Sequence, residues 1–161
     1  MDDLWPDDIG DNLPKAPVTI LRDQASALGQ KTKNIVEAEV SILNREFSSN
    51  NDIFSYAFII VAPALNVYRY NLFSISHNIQ LYPVTFDLDT DIFNEVDFIE
   101  KITNREETSE DTFVIPETTV SAATEEDFLR ILKIILNSKK ARYVINALLS
   151  QSVGIERKAS W

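Results

Sequence analysis

Between Ile53 and Leu88 the chain strings aromatic and β-branched residues together with one basic residue, Arg69, and no acidic residue before Asp87. The segment that follows inverts this pattern. From Asp87 to Asp127 lie fourteen of the twenty-five carboxylates, against only Lys101 and Arg105. A stretch so apolar must be buried, and a flank so charged must stay wet. The boundary between them predicts a folded α+β domain, and it names no reaction.

A chain of 161 residues makes one domain and can bury roughly two-thirds of its unfolded surface. Its apolar and charged fractions, 45% and 25%, are those of a globular protein. A formal charge of −10 repels nucleic-acid backbones and anionic membranes, and favours a basic protein partner. The absence of cysteine removes disulfides, thiolate nucleophiles and zinc–thiolate sites together. Asp2, Asp3, Asp7, Asp8 and Asp11 all precede the first basic residue, Lys15, the reverse of a secretory leader. No apolar run approaches the ~18 residues of a membrane span. These features together predict a soluble cytoplasmic protein.

Residues 1–14 read as an acidic arm in which Pro6 and Pro14 discourage helix. Trp5 either folds back over an edge of the core or serves a partner as a linear motif. A single α+β domain is expected over residues 15–152. Pro17 suits the first turn of a helix, and Leu21, Ala25 and Leu28 recur at helical spacing until Gly29 or Asn34. From Ile35 the period becomes two: Val36, Ala38, Val40 and Ile42 alternate with Glu37, Glu39, Ser41 and Leu43. A second strand, Ile53 to Val61, is apolar on both faces and is expected to be covered on both. A third runs from Val67 to Ser76, and His77-Asn78 suits a tight hairpin. The fourth, Ile79 to Leu88, contains Pro83, which donates nothing to a ladder, so this strand is expected at an edge or bulged. Short links predict an antiparallel meander.

Asp91 is placed to cap a helix from Ile92 to about Thr103. Asn104 to Ala123 is polar and acidic, with Phe113–Pro116 as a candidate fifth strand. Thr124 and Asp127 resemble a capping box. The helix after them is apolar almost all round, so burial on most sides is expected. Ala141 to Leu149 forms the last helix, and Gly154 ends it, leaving 153–161 as a tail. The sum is a two-layer α+β fold. An antiparallel four-stranded meander, with a fifth short strand in prospect, is packed by an N-terminal helix and two to three C-terminal helices. In element order alone its opening resembles the helix, three strands and helix of double-stranded-RNA-binding domains. That resemblance implies RNA binding, which the net charge and the missing basic helix end oppose.

Motifs for chemistry are sparse. Gly10, Gly29 and Gly154 are scattered, so glycine-rich phosphate loops are absent. His77, the only histidine, has no nucleophile-elbow pattern around it and reads as a hairpin-tip residue, exposed or bonding its own turn. Asp87, Asp89 and Asp91 have the alternation hard cations use, but Ile92 and Phe98 occupy the positions where a calcium loop needs glycine and glutamate. Solvated acids at a strand end explain all three, and no metal or cofactor is expected. Glu37 and Glu39 read as the wet face of a strand.

Tyr68-Arg69-Tyr70, with Tyr56 and Tyr82 on neighbouring strands, is the most binding-like constellation. Cross-strand aromatic packing, with the arginine at the sheet's margin, explains it more simply. Lys139, Lys140, Arg142, Arg157 and Lys158 make a basic end that either folds against the acidic segment or meets another molecule, and Trp161 closes the chain. The function these features favour is a non-enzymatic interaction module of a bacterial-type cytoplasm, masking a basic partner through its acidic Asp87–Asp127 surface as an inhibitor or immunity-like protein does. Two alternatives stand beside it. One is a ligand pocket roofed by residues 104–123 and lined by Tyr68, Tyr70 and Tyr82. The other is a homo-oligomer built through the Pro83 strand or the terminal tryptophans.

Overall fold

The period-two segment and the apolar block after it fold as one antiparallel sheet. The computed structural model describes the backbone of residues 1–48, 51–104 and 118–159, and the side chains of 1–43, 53–102 and 118–155. Its elements are α1 (Pro17–Lys31), β1 (Glu37–Ser48), β2 (Asn51–Ala62), β3 (Tyr68–His77), β4 (Val84–Asp87), α2 (Thr90–Asn104), β5 (Thr119–Ala122), α3 (Glu125–Leu136) and α4 (Lys139–Ala159). The strands lie in chain order, β1-β2-β3-β4-β5, every neighbour antiparallel. The fold is the expected two-layer α+β arrangement.

One face of the sheet carries the core. Phe58 of β2 stacks on Phe73 of β3 at 5.2 Å, Phe73 tilts against Phe86 of β4 at 6.0 Å, and Phe86 stacks on Phe128 of α3 at 5.1 Å. This aromatic relay ties three strands to the helical layer, in contacts worth roughly 0.5–1.5 kcal/mol each beyond area burial. A bulge assists it. Phe58 pairs with Phe73 and Ile59 with Asn71, so Leu72 is the extra residue, and both Leu72 and Phe73 become buried.

The opposite face is open to solvent. Glu39, Arg69, Asn71, Thr85, Asp87, Thr119 and Ser121 are exposed there, with Glu37 half-buried. On β2 itself this face is shielded nonetheless, as expected: Ala57 and Val61 are buried and Ile59 is half-buried. Arg69 of β3 and Glu39 of β1 form an ion pair that must cross β2, since their register partners are Val61 and Ile59. The pair thus spans β2 at Ile59 and Val61.

Pro83 does not mark an edge. It precedes Val84, where the β3–β4 ladder begins opposite His77, and the Tyr82–Pro83 peptide is cis. The ladder asks no N–H of it, so β4 sits inside the sheet between β3 and β5. Residues Ile79–Leu81 belong to the turn, not the strand. The fifth strand is Thr119–Ala122, whereas Phe113–Pro116 lies outside the described residues.

The helix caps differ from expectation by small shifts. Asp89, not Asp91, caps α2, its Oδ1 accepting the Ile92 N–H at 2.8 Å. Thr124 Oγ1 accepts the Asp127 N–H at 3.1 Å, a cap worth about 1 kcal/mol. The Asp127 carboxylate turns to Arg130 instead of closing the box. In α3 only Phe128, Ile131, Leu132 and Ile135 are buried, and Leu129 stays exposed. α4 does not stop at Gly154 but runs to Ala159. A mid-helix glycine costs about 1 kcal/mol, and packing of Val144, Leu148 and Ser152 holds the helix against that.

Candidate functional site

The acidic arm stands away from the core. Trp5 is 76% exposed, and Leu4, Ile9 and Leu13 are exposed with it. Of the two readings of Trp5, the one in which it covers a core edge is overturned. The five arm aspartates keep the segment hydrated, and its local bonds run within itself, Trp5 N–H to Asp3 Oδ1 at 3.0 Å and Asp11 N–H to the Asp8 carbonyl at 3.0 Å. Its far end is fastened to the domain, because the Tyr82 hydroxyl donates to the Lys15 carbonyl at 3.1 Å.

Among the described residues, several of the domain's own acids are paired. Lys140 Nζ lies 3.4 Å from both Asp89 and Asp91, and the Lys139 N–H donates to Glu95 at 3.0 Å. Lys101 pairs with Asp97 at 2.9 Å, and Arg130 joins Glu100 and Asp127. The start of the basic end thus folds against the acidic segment. Lys140 is held above its ordinary range by the charge of Asp89 first, then by Tyr70 and the bonds to Asp89 and Asp91. By contrast, no arm aspartate forms an ion pair among the described residues.

Tyr68, Arg69 and Tyr70 stand at the start of β3, with Tyr68 exposed, Tyr70 half-buried and Arg69 on the open face. Tyr82 follows the other end of that strand, seven or more residues away and so roughly 20 Å or more distant. It packs edge-on against Phe128, and burial, with a smaller push from Glu125, raises its pKa. The tyrosines do not converge. Most of the loop expected to roof them, 105–117, lies outside the described residues, as does Trp161.

His77 is no exposed tip. It is the last residue of β3 and buried, stacked between Phe54 at 5.6 Å and Tyr56 at 5.9 Å. Its Nδ1 lies 2.7 Å from the Asn78 carbonyl, so it does bond its own turn. Asp87, Asp89 and Asp91 do not gather around one point: Asp89 caps a helix, Asp89 and Asp91 hold Lys140, and Asp87 lies exposed on the open face. No cluster of ligating side chains suited to a metal occurs among the described residues.

A feature that residue spacing did not reveal is a cleft of about 440 Å³ between α1, α3 and the sheet. Phe58, Ile60 and Leu72 form its floor, and Lys31 and Lys133 lie at its margin. The surplus apolar residues of α3, read as a sign of burial all round, line it instead. No helix among the described residues is long and apolar enough to cross a membrane. No family model, curated protein or solved structure matches this chain.

Proposed function

We propose that the protein is a non-enzymatic interaction module that engages a basic protein partner through its acidic arm, in the manner of an inhibitor or immunity-like protein. The observation that carries this reading is the exposure of Trp5 on a segment whose aspartates form no ion pair among the described residues, whereas Asp89, Asp91, Glu100 and Asp127 of the domain are paired with Lys140 or Arg130. Tryptophan is the residue whose burial contributes most at interface centres. Surrounding carboxylates speed encounter with a basic surface and make the complex sensitive to salt. The domain then serves as a rigid base, and the arm as the reading element.

Affinity capture from the encoding organism's extract tests this, using the full chain, Trp5→Ala, and the paired change Asp7→Asn with Asp8→Asn. The expected result is one basic protein retained by the wild type at low salt and lost at high salt or in either variant. Both variants should melt where the wild type does, because the arm is outside the core. Retention that ignores Trp5 and ionic strength alike removes the reading.

A further inference from the structure

We infer that the cleft between α1, α3 and the sheet is a binding site for an amphipathic anion, an acyl chain lying on the sheet with its carboxylate at Lys31 and Lys133. The inference is independent of the arm. The cavity, about 440 Å³, falls within the roughly 300–1,000 Å³ of small-molecule sites. Its floor is fully apolar: Phe58, Ile60 and Leu72 are each 2% exposed or less. A ligand's inserted part therefore meets no buried polar group that needs a partner, which suits an alkyl chain.

The margin selects the other end. In a chain of net charge −10 the cleft is lined by two lysines and no carboxylate. Lys15, Lys101, Lys140, Arg69 and Arg130 each have an acidic partner, but neither Lys31 nor Lys133 has one among the described residues. The remaining polar lining, Gln24 and Asn137, is uncharged and can donate to an anion. Two ammonium groups over an apolar trough repel a cationic amphiphile and leave a neutral one without a head-group partner. An anionic head group satisfies both.

Calorimetric titration of the full chain with dodecanoate, below its micelle concentration and at low ionic strength, tests the inference. Dodecyltrimethylammonium and acetate serve as comparison ligands. The expected result is saturable one-to-one binding of dodecanoate, at least about tenfold tighter than the cation, and none of acetate. The double variant Lys31→Gln with Lys133→Gln should weaken dodecanoate about tenfold, as two partly exposed charge contacts are lost. Both lysines are exposed, so this variant keeps the fold.

Ala27→Trp, which fills the cleft from α1, should abolish binding. Equal affinity for the cation, an unchanged double variant, or the lack of saturable binding overturns the inference. So does a rise in affinity on Trp5→Ala, which would make the arm the occupant. A dimer in sedimentation that Ala27→Trp converts to monomer also overturns it, because a second copy would then fill the cleft.

Discussion

The guanidinium of Arg130 on α3 meets the carboxylate of Glu100 on α2 as a fork, Nε donating to Oε1 at 3.1 Å and Nη2 to Oε2 at 3.4 Å. Asp127 accepts from Nη1 at 2.6 Å, and these bonds, that to Glu100 first, raise the arginine pKa. The Arg130 side chain is 42% exposed and that of Glu100 19%, so solvent screens the pair. A double-mutant cycle of Arg130→Ala and Glu100→Ala should give a coupling of about 0.5–1 kcal/mol in urea denaturation. Arg130→Lys keeps the charge but loses the fork, and is expected to recover less than half of it. A coupling near zero would mean that apolar packing alone holds α2 to α3.

Val67 carries backbone strain that its side chain does not offset. Its φ of 55° follows that of Asn66 at 60°, and the side chain is 59% exposed. The left-handed region costs an L-residue about 1–2 kcal/mol, most for β-branched side chains, whereas asparagine tolerates it. Val67→Asn should therefore stabilise the protein by about 0.5–1 kcal/mol, a rise of roughly 1–4 °C in Tm for a chain of this size. Thermal unfolding followed by circular dichroism decides this, and a fall in Tm would show that the Val67 methyls do structural work.

His77 is held by its ring more than by its nitrogens. The Asn78 carbonyl only accepts, so Nδ1 carries the proton, and the buried Nε2 has no hydrogen-bond partner among the described residues. His77→Phe keeps the stack on Phe54 and Tyr56, removes the orphaned nitrogen and loses one bond to a carbonyl. It should fall within about 1 kcal/mol of wild type. His77→Ala opens a cavity beneath the same rings and should cost on the order of 2–4 kcal/mol. Urea midpoints rank the two, and a phenylalanine variant as damaged as the alanine one would assign the nitrogens a structural role of their own.

What could be read along the chain was whatever depends on neighbours in sequence. The alternation from Val36, the proline-led start of α1 and the Thr124 cap each follow from a few consecutive residues, and each stands where expected. Pro83 misled because its effect depends on where the ladder begins, one residue later at Val84. Asp89 and Asp91 are both competent caps, and only the backbone path after Leu88 chooses between them. The cleft could not be read at all, since Lys31 and Lys133 are brought together by two helices far apart in the chain. Trp5 carried two readings, and neighbours in sequence could not choose between them; its side chain stands in solvent, not at a core edge.

Alkaline pH should loosen the fold through two groups on different elements. Lys140 is raised above 10.5, chiefly by Asp89, and Tyr82 above 10.0, chiefly by burial. In both cases the folded state holds its proton more tightly than the unfolded chain does. The stabilisation is therefore complete below about pH 10 and is lost as pH rises through the folded-state values. Urea midpoints measured from about pH 7 to pH 11 should be insensitive to these groups at first and then fall. Tyr82→Phe removes the phenol's share, and Lys140→Met removes the ammonium's share while leaving Asp89 and Asp91 without a counter-charge. Each variant should thus start below wild type near neutrality and lose stability less steeply above pH 10. If both alkaline slopes match that of the wild type, neither contact is coupled to folding, and the link that Lys140 makes between α4 and the sheet's acidic end is only a surface coincidence.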